Sequence, residues 1–165
     1  MSLGLSIRNM NRTHKMIFSA MVIAIYVVVM YFTQNFAFGQ YQVRIATAIY
    51  STAYIFPFLI VPLGLSNLLS NMLMGGLGFF DIVGGGLVGI ATAGCCALLG
   101  RIKAPEWTVI FPVFLIPALG VSLWLSRILG LPYWVLASSL LVGQGIAGIA
   151  GFFLVKALKK IWRMQ

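Results

Sequence analysis

Residues 40–86 read QYQVRIATAIYSTAYIFPFLIVPLGLSNLLSNMLMGGLGFFDIVGGG. How often this stretch crosses a membrane decides the fold. Between Arg44 and Asp81 lie 36 residues, Ile45–Phe80, without a charge. Pro57, Pro62 and Gly64 interrupt them, and Ser66, Asn67, Ser70 and Asn71 follow before Gly75-Gly76-Leu-Gly78 and Gly84-Gly85-Gly86. A helical crossing needs about 20 apolar residues, so the run has room for two, joined near Pro62-Leu-Gly64. Polar groups and helix breakers in so apolar a segment must face protein or trapped water, because lipid offers the backbone no hydrogen-bond partner. A pocket is the expected reason.

The rest of the chain is that of an integral membrane protein. Of its residues 61% are hydrophobic and 8% charged, with mean hydropathy +1.04, whereas about a quarter of the residues of a soluble domain are charged. The net charge of +9 does not mark a nucleic-acid binder, since the basic residues stand in short clusters beside apolar spans, as topology-setting charges do. Met1 to Lys15 carries basic residues but no small-residue cleavage site, and a full-length span follows, so it reads as an anchor and not a removed signal. Adjacent Cys95 and Cys96, inside an apolar helix, read as packing residues.

The other charge-free runs are Met16–Val43, Ile82–Gly100, Trp107–Ser126 and Ile128–Val155. With two crossings in Ile45–Phe80 the total is six. An even count places nine of the eleven basic residues in the cytoplasm, leaving out Arg44 and Arg127, which the positive-inside rule favours. The expected helices run over about 15–33, 44–61, 64–75, 81–100, 106–128 and 133–160, in one membrane domain, 1–165. Neither linker nor internal repeat is visible, unlike larger secondary transporters. The short third helix suits an element that supports a cavity. Gly85, Gly89 and Ala93, and Gly143, Ala147 and Gly151, are small residues at spacing four, so helices four and six should touch directly or through a common neighbour.

Enzyme chemistry finds no foothold. The chain has one His, His14, and no HExxH, GxSxG, Walker loop or paired carboxylates, so it cannot hydrolyse a nucleotide by itself. Two adjacent cysteines and an isolated His do not make a metal site.

The polar residues say more. Arg44, Asn71, Asp81 and Gln144 all fall in the outer half of the expected bundle. Ionisable groups within spans mark functional sites by default, because burying them is costly. Asp81 could equally cap a helix or pair with Arg44, and Asn71 and Gln144 could simply join helices. Phe36, Phe38, Tyr41, Phe79, Phe80, Tyr133 and Trp134 flank these positions. Such rings anchor at interfaces, and they also suit a planar heterocycle.

The ordered set Gln42-Val-Arg44, Ser70-Asn71, Gly78-Phe-Phe-Asp81-Ile-Val-Gly84 and Leu131-Pro-Tyr-Trp134 resembles the queuosine-precursor transporters of the QueT type, substrate-binding S components of energy-coupling factor (ECF) importers. The similarity covers nearly the whole chain and is strongest over Gln40–Gly86. It implies an all-α, six-helix S-component-like bundle in a prokaryotic plasma membrane, with both termini cytoplasmic and an outward pocket. The implied substrate is a 7-deazaguanine: the 7-cyano or 7-aminomethyl compound, or queuine. The implied partners are a transmembrane coupling protein and two ATPase subunits, which would hydrolyse the ATP; the chain itself would need no cofactor. Arg44, Thr47, Asn71, Phe80, Asp81 and Gln144 are the expected binding residues. In Ser19-Ala20-Met-Val-Ile-Ala24, Ala20 and Ala24 are the expected docking residues, although ordinary helix packing explains such a pair too. Compared members often carry Glu where this chain has Thr47 and Gln144. S components for folate or biotin, and a non-transport membrane protein whose polar residues serve assembly, are the competing readings.

Overall fold

The computed structural model describes residues 10–37, 43–74 and 77–163, and every regular element among them is helical. Arg8, Phe38, Gln40, Tyr41, Gln42, Gly75 and Gly76, and the side chain of Phe36, lie outside the described residues. The elements are α1 (Arg12–Ala37), a 3-10 helix (Ile45–Tyr54), a 3-10 turn (Pro57–Leu59), α2 (Ile60–Leu73), α3 (Phe79–Arg101), a second 3-10 turn (Glu106–Val109), α4 (Ile110–Leu129) and α5 (Tyr133–Arg163).

Four stretches are long and apolar enough to cross a membrane: Arg12–Asn35, Phe79–Arg101, Glu106–Leu129 and Tyr133–Ile161. The residues expected to form crossings two and three form instead the 3-10 helix and the 14-residue α2. The chain breaks not at Pro62-Leu-Gly64 but at Phe56-Pro57, where Phe56 has φ −119° and ψ 78°. A residue before proline is pushed out of the helical region, so Pro57 ends the element. Pro62 falls instead in the first turn of α2, where its missing N–H has no intrahelical acceptor to lose. Gly64 is not a breaker either. A Cβ there would lie 2.9 Å from the Gly86 carbonyl oxygen, so it is the point where α2 closes on α3.

Contacts fix the direction of each rod. Along α1, Phe18 meets Phe56 with its ring tilted and Tyr26 stacks on Tyr50, so α1 runs antiparallel to the 3-10 helix. α2 runs back against α3, with Asn71 at Asp81 and Asn67 at Gly85. α4 opposes α3, with Trp124 at Asp81, and opposes α5, with Tyr133 at Leu119. α5 runs parallel to the 3-10 helix, meeting Thr47 through Gln144, Ser51 through Gly151 and Tyr54 through Lys159. The rods thus alternate in direction. Lys15, 5.9 Å from the Phe58 ring centroid, and Lys159, at Tyr54, bring both terminal helix ends to the Tyr54 end of the bundle.

The 3-10 helix is the axis of the core, with Ala46, Thr47, Ala48, Tyr50, Ser51, Thr52, Ala53 and Tyr54 all buried. The hydroxyls of Thr47, Ser51 and Thr52 bond to carbonyls three residues back, at 2.6, 2.7 and 2.7 Å. They add a second donor to carbonyls already used in the i to i+3 pattern. Small residues let neighbouring helices reach this narrow rod. Gly89 and Gly100 of α3 lie against Tyr50 and the Tyr54 carbonyl, and Gly151 of α5 against Ala48 and Ser51. The two small-residue faces therefore meet through a common neighbour.

Candidate functional site

At the Arg44 end the short elements bring their polar side chains together. Arg44 precedes the 3-10 helix and is 6% exposed. Its Nη1 donates to Asn67 Oδ1 at 3.2 Å and its Nη2 to Asn71 Oδ1 at 2.7 Å. The two asparagines stand four apart, one turn along α2, and so on one face. Each turns its amide nitrogen to α3: Asn67 Nδ2 donates to the Gly85 carbonyl at 2.7 Å and Asn71 Nδ2 to the Asp81 carbonyl at 3.0 Å. A guanidinium only donates, which fixes the orientation of both amides. Gly85 makes room, since a Cβ there would lie 2.5 Å from Asn71 Nδ2.

The Asp81 carboxylate is held from two sides. Leu77 N donates to Oδ2 at 3.2 Å and Trp124 Nε1 to Oδ1 at 3.1 Å. Asp81 sits in the first turn of α3 and reaches back to an N–H ahead of the helix, where its charge also favours the helix dipole. Arg44 and Asp81 are thus joined through Asn71. On the other flank, Thr47 Oγ1 lies 2.6 Å from the Arg44 carbonyl and 2.8 Å from Gln144 Oε1. One hydroxyl proton serves one of these acceptors at a time. Deeper in the core, the hydroxyls of the fully buried Tyr26 and Tyr50 lie 2.9 Å apart.

These donors and acceptors are buried at one end of an otherwise apolar bundle, where they pair with one another across the 3-10 helix, α2, α3 and α5. A sequence model of the QueT transporter family matches residues 16–160. The chain belongs to the QueT transporter family. No curated protein and no solved structure matches it. Membership makes it a membrane transporter with a small-molecule substrate and not an enzyme.

Of the residues expected to form the transporter's site, Arg44, Thr47, Asn71, Asp81 and Gln144 come together, each at most 6% exposed. Phe80 does not join them. It is 71% exposed and packs edge-on against Phe79, ring centroids 6.1 Å apart. Ala20 and Ala24 lie on the exposed face of α1, opposite the face that buries Val22, Tyr26 and Met30. Asn67 and Trp124 belong to the network although the sequence reading gave them no role. The spacing of four between Asn67 and Asn71 was the available signal for the first. Trp124, one aromatic in an apolar helix, carried none. Among the described residues no three His, Cys, Asp or Glu side chains gather as a metal site would require.

Proposed function

We propose that this QueT family member is the substrate-capturing S component of an ECF importer and that it binds a 7-deazaguanine at the Arg44–Asn71–Asp81 network. The observation that carries the reading is a buried guanidinium bonded to two asparagines, one of which donates to the Asp81 main-chain carbonyl, so that Arg44 and the acid share one end of an apolar bundle. A 7-deazaguanine offers ring N–H and amino donors on one edge, with a carbonyl acceptor beside them. Asp81 is one of two acidic residues in the chain. A carboxylate has about four lone-pair directions, and Leu77 and Trp124 take two, so Asp81 accepts from the donor edge. Arg44 with Asn71 faces the carbonyl, Gln144 and Thr47 supply neutral hydrogen bonds, and Trp124 offers the ring face nearest to Asp81. On this reading the chain crosses six times with Lys15 and Lys159 in the cytoplasm, and the network faces the outer side. The exposed α1 face with Ala20 and Ala24 is then open to the coupling protein.

Thr47 and Gln144 are neutral, so a cationic aminomethyl substituent finds no dedicated counter-charge. A charged hydrogen bond is worth about 1.5–3 kcal/mol, or roughly tenfold to a hundredfold in affinity. Calorimetry on the purified protein with 7-cyano-, 7-aminomethyl- and unsubstituted 7-deazaguanine tests the assignment. The neutral analogues should bind at least as tightly as the aminomethyl form, and Asp81→Asn should weaken all three. A strong preference for the aminomethyl compound that survives in Asp81→Asn would overturn these roles.

A further inference from the structure

At the Tyr54 end a cleft of about 160 Å³ opens between α2 and α3. Pro57, Ile60, Gly94, Ala97 and Leu98 line it with apolar groups, and Arg101 completes the lining. Small residues create its depth: Ala97 is buried, and a Cβ on Gly94 would meet nothing within 4 Å. Leu98 is 58% exposed along one wall. More basic residues stand close by, Lys103 two positions after Arg101 and Lys15 over the ring of Phe58, the neighbour of Pro57.

The chain has no carboxylate side chain to answer these cations. Its two acidic residues are Asp81 and Glu106. Asp81 is held at the opposite end by Leu77 and Trp124, and Glu106 is engaged by Lys159 at 3.1 Å. An exposed guanidinium with neighbouring lysines, beside an apolar cleft at the end of membrane-crossing helices, calls for a ligand that joins one negative charge to a hydrocarbon tail. Basic clefts between helices are known to hold anionic head groups in this way.

We propose that the cleft beside Arg101 is a binding site for an anionic glycerophospholipid, its phosphate on Arg101 and one acyl chain along Gly94, Ala97 and Ile60. The site is independent of the substrate network at the other end.

Native mass spectrometry of the full chain in detergent, titrated with phosphatidylglycerol or phosphatidylcholine of equal chain length, tests it. Phosphatidylglycerol should bind more tightly, and Arg101→Gln should weaken it about fivefold, the factor that corresponds to about 1 kcal/mol per basic residue near an anionic surface. Gly94→Leu, which fills the cleft, should abolish the bound lipid. Lys156→Gln removes a charge over Phe152 on α5 and should change nothing. Arg101 is exposed, so its variant carries the test even if Gly94→Leu folds poorly. Equal binding of the two lipids, a preference that survives Arg101→Gln, or an equal loss in Lys156→Gln would overturn the proposal. So would tight binding of soluble glycerol phosphate, which would mark a phosphate site without a lipid tail, or displacement of the lipid by a coupling-protein helix seated in the cleft.

Discussion

Replacing Gly85 by alanine tests the proposed substrate network without removing any of its polar groups. The new Cβ would lie 2.5 Å from Asn71 Nδ2 and 3.3 Å from Asn67 Nδ2. Comfortable contact begins near 3.5 Å, so the Asn71 amide must retreat by about 1 Å. An exposed amide would do so at little cost, but Asn71 is fully buried and held on both sides, 2.7 Å from Arg44 Nη2 and 3.0 Å from the Asp81 carbonyl oxygen. Losing the charged bond costs about 1.5–3 kcal/mol and the neutral one about 1 more. Gly85→Ala should therefore destabilise the protein by about 2–4 kcal/mol and weaken substrate binding at least tenfold. Thermal melting in detergent and calorimetric titration read the two effects. Gly94→Ala, with open space around its Cβ, should melt as the native chain does. Asn71→Ala added to Gly85→Ala should recover part of the stability and none of the binding, a non-additivity expected of groups in contact. Native melting and affinity in Gly85→Ala would refute the account of how Arg44 is held.

Three more outcomes follow from the arrangement. Leucine at Ala20 or Ala24 should block close approach of a partner helix, lowering uptake while ligand binding to the isolated protein persists; equal loss of both would indicate a folding role. With Cys95 and Cys96 replaced, a cysteine at position 131 should react with an impermeant reagent from outside and one at 102 should not, and the reverse pattern would invert the proposed orientation. The Tyr26 and Tyr50 hydroxyls share one buried hydrogen bond, so Tyr26→Phe should destabilise the protein by about 1 kcal/mol in thermal melting; an unchanged melting temperature would show that this bond contributes nothing.

Helix-forming runs and charge clusters were legible because lipid imposes them: a crossing helix must be long and apolar, and Arg12, Lys15, Lys156 and Lys160 stand where the apolar runs stop. Pro62 and Gly64 misled because a proline in a first turn and a glycine at a helix contact carry the same letters as a break. Only the partner, Gly86 across the interface, tells them apart. The 3-10 winding of Ile45–Tyr54 was not legible either. Gly89, Gly100 and Gly151, which let neighbouring helices close on this rod, lie far away in the chain. The network itself was visible as an excess of polar residues in an apolar protein. Its geometry was not, since whether Arg44 reaches Asp81 directly or through Asn71 depends on how far α2 intrudes between them.

The short central elements also set the depth of the network. Ten residues of 3-10 helix cover about 20 Å, and the 14 residues of α2 about 21 Å, against a hydrocarbon core of about 30 Å. The 23 residues of α3 and the 20 of α4 reach about 35 and 30 Å. Gln144 lies 11 residues inside the Tyr133 end of α5, or about 16 Å, and Trp124 lies 5 residues inside the Leu129 end of α4, or about 8 Å. The polar groups at the head of the 3-10 helix are consequently set back from the ends of the α4–α5 hairpin. Full-length crossings at these two positions would have carried Arg44 and Asn71 out to the water interface, where a hydrogen bond to ligand competes with water and is worth about 1 kcal/mol. Set back among apolar helices, the same donors and acceptors act at low dielectric, where each matched bond is stronger and each mismatch costlier. The shortness that counts against these segments as ordinary spans is therefore what would let the proposed site discriminate among small polar molecules.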